Sequence, residues 1–221
     1  LSRGLRDHAD KIEKEKVETA VKKLKDIGRR LRGSESTEYV RGLEGEGAEI
    51  YFPALNELIV ANREHFAFEQ RTRRPPLDPM NALLSFLYVM LANDVEGAIE
   101  SVGLDPQVGF LHRERPGRAS LALDLMEELR PVIADRIALT LVNRQQIQPD
   151  GFTFQDSGAV LMDDQTRKTV LQAYQERKQT ELKHPYLEEK TQLGIIPYTQ
   201  SLLLARHLRG DMDGYPPYLW R

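Results

Sequence analysis

Between Gly109 and Pro131 the chain reads GFLHRERPGRASLALDLMEELRP. One histidine, His112, closes an apolar lead-in. A basic loop follows, with Arg113, Arg115 and Arg118 set around Pro116 and Gly117. The remainder reads as a helix. Ser120 is placed to cap it, because a serine hydroxyl there accepts a free amide of the first turn. Leu121, Leu125, Leu129 and Val132 recur at helical spacing and predict a buried stripe. Asp124 and Glu127 are three residues apart, so they neighbour each other on one flank. A histidine, a run of arginines and a carboxylate pair are groups that could hold a divalent ion against a phosphate. The same carboxylates would also suit a solvated helix face, where most exposed charges do nothing specific. Spacing alone leaves both readings open.

Upstream, Asp78 and Pro79 mark a helix start, and the apolar residues that follow predict a central buried helix over about 80–92. A shorter helix should run from Asp94 to Val102 and stop at Gly103, with a turn at Leu104–Asp105–Pro106 before the GFLH segment. Nearer the beginning, Ile12, Val17, Ala20, Val21, Leu24, Ile27 and Leu31 predict a helix from about Ala9 to Leu31 that stops near Gly33. Lys14, Lys22, Lys25 and Arg29 fall off that stripe, which fits a solvated face or a DNA contact. A further helix is expected from Glu38 to Ile50, ended by Tyr51, Phe52 and Pro53. Its Gly42, Gly45 and Gly47 each cost about 1 kcal/mol relative to alanine in a helix interior. They predict a crowded helix crossing at Glu44. Arg71 to Pro79 is a breaker-rich loop carrying Arg71, Arg73 and Arg74.

Downstream of Pro131 the helical pattern restarts and runs to about Ile147. Residues 151–162, GFTFQDSGAVLM, predict a small hairpin around Asp156–Ser157–Gly158. Asp164 to Leu182 reads as a polar helix, His184–Pro185 breaks it, and two more helices are expected between Tyr186 and Leu208. The fold class is therefore mainly α: a compact multi-helix domain with one small β-hairpin. The expected segments are a basic amphipathic helix at 1–33, a helical body at 34–210 and an irregular tail at 211–221.

Composition narrows the function. A chain of 221 residues, 40% hydrophobic and 29% charged, is ordinary for a soluble globular domain and long enough to bury a large core. It contains no cysteine, which excludes disulfides, iron–sulfur clusters and thiolate zinc. The longest apolar run, Ala82 to Ala92, is interrupted by Ser85 and is too short to span a bilayer. The charged beginning does not read as a signal peptide. A cytoplasmic protein without membrane contact is the expectation, and an opening Leu rather than Met suggests a piece of something longer. The net charge of −3 is uneven: residues 1–33 hold eleven Lys/Arg and six Asp/Glu, a balance of +5, which leaves −8 on the rest. A basic segment beside an acidic body suits a polyanion on one side and a cation on the other.

Five histidines, His8, His65, His112, His184 and His207, include no pair at zinc-hydrolase spacing. Neither a nucleophile elbow, nor a phosphate-binding P-loop, nor a dinucleotide fingerprint is present. One histidine plus carboxylates survives, an oxygen-rich set that favours magnesium or manganese over zinc. From the residues alone this is a mainly helical chain compatible with a divalent-metal phosphoesterase, or with a metal-free helical module that binds protein partners.

Four blocks add a resemblance. RGLEGEGAEIYF (Arg41–Phe52), NALLSFLYVML (Asn81–Leu91), GLDPQVGFLH (Gly103–His112) and SLALDLMEELRP (Ser120–Pro131) occur in this order. Together they resemble the helical C-terminal catalytic domain of the Cas-one family of CRISPR-associated endonuclease/integrases, in its I-C-like branch. The resemblance implies insertion of foreign DNA fragments into a CRISPR array, an antiviral defence, with Mg²⁺ or Mn²⁺ as cofactor. It implies Glu44, His112 and Glu127 as metal ligands, Asp124 as a neighbouring essential acid and Glu46 as an ordinary neighbour. Arg113, Arg115 and Arg118 are then placed for DNA phosphates. The implied partners are protospacer and repeat DNA, a second copy of the chain and the small Cas-two protein. Family members carry a β-rich N-terminal domain that helps dimerisation, and this chain shows no such stretch, so dimer formation is expected to be lost with it.

Overall fold

A computed structural model describes residues 1–7, 10, 12–34 and 36–220. Helices dominate, with two short antiparallel hairpins. The helices are α1 (Ser2–Asp7), α2 (Lys14–Leu31), α3 (Thr37–Glu57), α4 (Arg63–Phe66), α5 (Pro79–Ser101), α6 (Ser120–Met126), α7 (Ala134–Asn143), α8 (Asp164–Lys178) and α9 (Ile196–Leu208). The hairpins are β1 (Phe152–Phe154) with β2 (Val160–Met162), and β3 (Glu181–Lys183) with β4 (Lys190–Gln192). Two compact units are recognisable: Leu1–Leu83 with Leu139–Thr166, and Leu84–Ala138 with Arg167–Arg221. Arg221, and the His8 and Ala9 from which the first helix was predicted to start, lie outside the described residues.

In the first unit α2 packs on α3. Val17, Ala20 and Ile27 bury their side chains, while Lys14, Lys22, Lys25 and Arg29 are exposed as the stripe predicts. Gly33, with φ +91°, supplies the left-handed turn just past the end of α2. Ser36 caps α3, its hydroxyl accepting the Tyr39 amide at 3.3 Å. Arg30 grips Glu46 through two bonds of 2.8 and 2.9 Å, and this holds the Glu46 carboxyl below its usual range. The 71–79 loop hangs on the fully buried Asn81. Its Oδ1 accepts from Arg71 at 2.8 Å and from the Thr72 amide at 3.1 Å. Its Nδ2 donates to the Gln70 carbonyl at 2.9 Å and to Asp78 at 2.6 Å. Asp78 also accepts the Asn81 amide at 2.7 Å, the cap expected for α5.

Three expectations in this unit need correction. The α3 helix does not end at Pro53 but runs through it to Glu57. Proline removes one backbone donor, yet the exposed Pro53 is flanked by buried Phe52, Ala54 and Leu55, whose burial outweighs one lost bond. Nor is Glu44 at a crowded crossing. A methyl group added at Gly42 or Gly45 would meet nothing within 4 Å, and one at Gly47 would make ordinary contact with Ile27 and Leu24. Glu44 is exposed. Finally, Arg71 is half-buried and committed to Asn81, so of the three loop arginines Arg73 and Arg74 are the exposed ones.

The second unit holds most of α5, which is continuous across the predicted break near Asp94. By length and composition α5 could cross a membrane, a test the 82–92 run alone does not meet. However, Leu83, Leu84, Leu87, Leu91, Val95 and Ile99 are all fully buried inside the chain, the pattern of a core helix. Tyr174 and Lys178 on α8 both donate to Asp94, at 2.8 and 2.7 Å. After α8 the chain forms the β3–β4 hairpin where more helix was predicted. His184 explains it: its Nδ1 accepts the Tyr186 and Leu187 amides at 3.3 and 3.1 Å, closing the turn in the way a backbone carbonyl would. Among the described residues a short 3₁₀ helix (Leu193–Ile195) and one α-helix, α9, then follow.

Replacing Asn81 with alanine removes four side-chain bonds at once and leaves half-buried loop groups without them. The expected loss of stability is about 2–4 kcal/mol, read from urea unfolding.

Candidate functional site

Asp124 gathers the GFLH segment around itself. Its Oδ2 accepts the amides of Phe110 at 2.6 Å and Leu111 at 3.0 Å. Its Oδ1 accepts the His112 amide at 2.9 Å and meets His112 Nδ1 at 2.7 Å. Burial pushes the Asp124 carboxyl up, but bonds from the His112 ring and from the three amides outweigh it and hold the group below the ordinary carboxylate range. An ionised carboxylate can only accept, so the proton at this contact sits on Nδ1. In the neutral ring that tautomer leaves the lone pair on Nε2, the form in which an imidazole binds a metal.

Gly109 lets the loop come this close. A Cβ there would lie 2.8 Å from Ser120 Cβ, 2.9 Å from Asp124 Oδ2 and 2.9 Å from the Ser120 carbonyl carbon. No side chain fits. The approach also changes the helix start from the one predicted. Ser120 does not cap α6: its hydroxyl donates to the Arg113 carbonyl at 3.2 Å. The Leu121 amide finds the Pro106 carbonyl at 2.8 Å instead. Pro106 is held by a turn in which Asp105 Oδ1 accepts the Gln107 amide at 2.9 Å.

Glu127 lies one residue past α6, and the chain turns there rather than continuing as helix to Pro131. Arg130 donates to Glu127 Oε1, and its guanidinium lies over the Tyr88 ring, 4.3 Å from the centroid. Tyr88 in turn donates to the buried Asp135 at 2.6 Å. Burial and Asp135 both push the Tyr88 hydroxyl well above its usual value. A cation, a ring and two anions thus alternate behind Glu127. His112 and Glu127 each offer a ligand atom, and these lie within 4.8 Å of one another. Arg113 and Arg115 are exposed on the loop between them, Arg118 is half-buried, and Gly117 (φ +70°) turns the chain back toward α6.

This arrangement sits inside a matched family region. Residues 1–176 match the family model described as CRISPR associated protein Cas1. The chain belongs to the Cas1 family. A CRISPR-associated endonuclease Cas1 of Rhodospirillum rubrum is 55% identical over all of this chain, which spans 65% of that relative's length. Among solved structures, a casposase bound to integration product superposes with a TM-score of 0.79 at 24% identity, over 88% of this chain and 55% of the other. A partial Cas6-RT-Cas1–Cas2 complex contains a chain with a TM-score of 0.78 at 25% identity, covering 94% of this chain and 60% of that one. The family's fold accounts for the mainly helical architecture.

Several residues of this site escape a reading by spacing. Arg130 carries one signal, its position three after Glu127, which is close enough for a pair. Gly109 gives only the general cue of a glycine before an aromatic. Tyr88 and Asp135 give none, because nothing in the sequence aligns them across 47 residues.

The Asp124 bonds set a pH dependence. A carboxyl whose folded value is depressed contributes stability above its unfolded value, about 3.9, and loses it as pH falls through the lower folded one. Wild type should therefore exceed Asp124→Asn in stability at pH 5–7, and the gap should close as pH drops below about 4. Denaturant unfolding of both proteins across that range checks it.

Proposed function

We propose that this chain is the metal-dependent catalytic lobe of a DNA endonuclease/integrase that inserts foreign DNA fragments as spacers into a CRISPR array. The observation that carries this reading is the Asp124–His112 contact at 2.7 Å, which orients the imidazole through Nδ1 in a chain of the Cas1 family. We assign Glu44, His112 and Glu127 as the ligands. Of these, His112 and Glu127 offer ligand atoms within 4.8 Å of each other. The donors fit Mg²⁺ or Mn²⁺: two hard carboxylates, one imidazole and no thiolate. Such an ion, when bound, polarises a phosphodiester and stabilises the charge that gathers on it.

The chain's own residues do the positioning. Asp124 keeps the His112 ring in one orientation. Arg130 holds Glu127 through one carboxylate oxygen. The exposed Arg113 and Arg115, with Arg118, neutralise neighbouring backbone phosphates, which sets register without reading sequence. In integration the 3′-hydroxyl of the incoming strand attacks a repeat phosphate; one P–O bond forms, another breaks, and the departing strand keeps a 3′-hydroxyl. In endonuclease cleavage water takes the place of that 3′-hydroxyl. A likeness to a casposase bound to integration product supports strand transfer at the level of fold. A Cas1 chain in a complex with Cas2 supports the small Cas-two protein as a partner. DNA is the substrate, and the cytoplasm is the place of action.

Glu44→Ala, His112→Ala and Glu127→Ala should each abolish Mn²⁺-dependent cleavage and strand transfer, and each should remove the Mn²⁺-induced rise in melting temperature. Glu46→Ala, which loses only its pair with Arg30, should stay active. Full activity in Glu44→Ala would sink the ligand assignment.

Replacing Arg113, Arg115 and Arg118 together should weaken DNA binding at all sequences alike. The slope of log affinity against log salt should fall in magnitude by about 0.9 per lost duplex phosphate contact. Mn²⁺ stabilisation should be little changed. A lysine triple at Lys14, Lys22 and Lys25 that weakens binding more than the arginine triple would move the DNA path to α2.

A further inference from the structure

The residue beside Glu127 spends its carboxylate on the end of the chain. Tyr215 donates its hydroxyl to Glu128 Oε1 at 2.9 Å and lies 3.1 Å from Oε2. The Tyr218 amide reaches Oε2 at 2.7 Å, and Gln200 Nε2 reaches it at 3.0 Å. Gln200, fully buried on α9, also brings Nε2 2.6 Å from the Tyr215 hydroxyl and 3.1 Å from the Pro216 carbonyl, three acceptors around its two N–H bonds. Its Oε1 takes the His184 Nε2 proton at 3.0 Å. That direction is forced, since His184 Nδ1 is already the acceptor for two amides of the β3–β4 turn. The Tyr218 ring packs 5.7 Å from the His184 ring and is 2% exposed. A tail without regular secondary structure is thereby pinned at a buried polar core made from three separate segments.

Glu127 and Glu128 share one peptide unit in a stretch that has left the α6 ladder. The Glu127 amide is 3.4 Å from the Asp124 carbonyl, a long bond, and the turn that follows is closed by the Met126 carbonyl, which accepts the Leu129 and Arg130 amides at 2.9 and 3.0 Å. The anchored Glu128 side chain adds a second constraint inside that turn. We propose that the C-terminal tail acts as a strap: by fixing Glu128 it sets the backbone at Glu127 and so aims the Glu127 carboxylate. Glu128, Tyr215 and Gln200 are positioning residues in this account, with no contact to substrate. The strap rests on Glu127 being a ligand for its consequence in metal binding, but its effect on the 126–130 backbone stands apart from the metal.

The test uses the full chain with Tyr215→Phe, which deletes one hydroxyl, and Glu128→Gln, which keeps shape but presents an amide to three donors. Two quantities are read: the Mn²⁺ concentration at half-maximal thermal stabilisation, and metal-free amide exchange across residues 126–130. Glu128→Gln should raise the Mn²⁺ midpoint about tenfold, the scale on which groups behind a ligand act, and Tyr215→Phe should raise it less. Exchange at 126–130 should quicken in both, while Phe110, Leu111 and His112, held by Asp124, keep their protection. A tail that is only a structural anchor would lower the melting temperature but leave the midpoint and the 126–130 exchange as in wild type, and that result overturns the strap. Should Glu128→Gln fail to fold, Tyr215→Phe decides alone. If wild type ignores Mn²⁺, the metal reading fails and the exchange data still decide the strap, quickening supporting it and no change refuting it.

Discussion

One carboxylate holds this site together. Asp124 takes three consecutive backbone amides and a ring nitrogen onto two oxygens. Half-burying a carboxylate is costly unless its lone pairs are filled, and here the filling comes almost wholly from the segment it must position. The bonds keep Asp124 ionised, ionisation fixes a proton on His112 Nδ1, and in the neutral ring Nε2 is then the nitrogen with the lone pair. The loop conformation and the imidazole chemistry are therefore the same fact seen at two scales. Gly109 is the steric condition for both, since any side chain there would push the loop off the α6 start.

Glu127 is held by different means. Its backbone lies where α6 unravels, so side chains on both sides do the work. Arg130, seated over Tyr88, engages the carboxylate itself, while Glu128 anchors the adjoining peptide to the tail. Such alternations of cation, ring and anion are high-stakes: satisfied, they make a rigid local structure, and with one member removed they leave a charge buried without its partner. Asp124 and Glu127 thus divide the site: one carboxylate clamps the histidine side, and several side chains in turn hold the glutamate side.

Helix boundaries follow burial more closely than local propensity. Pro53 and the glycines of RGLEGEGAE would each weaken an isolated helix, yet α3 runs for 21 residues because Leu43, Phe52, Ala54 and Leu55 are buried along it. The open space at Gly42 and Gly45 leaves their presence without a packing reason inside this chain. Likewise α5 continues past Asp94, whose carboxylate is matched by Tyr174 and Lys178 rather than left to break the pattern.

Periodicity in the sequence was enough to establish a mainly helical chain, the stripe of α2, the cap of α5 at Asp78, the hairpin at 152–162 and the absence of cysteine chemistry. These depend on neighbours within a few residues, where spacing and geometry are rigidly linked. Four ordered blocks pointed to the family and so to Glu44, His112, Asp124 and Glu127, which spacing could not have picked from 34 acidic residues. What only the tertiary structure decided is how those groups are held. The Asp124 contact to an amide 14 residues away, the capping of α6 by Pro106 and the Glu128–Tyr215 link across 87 residues all join distant parts of the chain. A hydrogen bond leaves no trace in the spacing of its partners once the intervening chain is long enough to fold back, so no pattern in the sequence could have announced them.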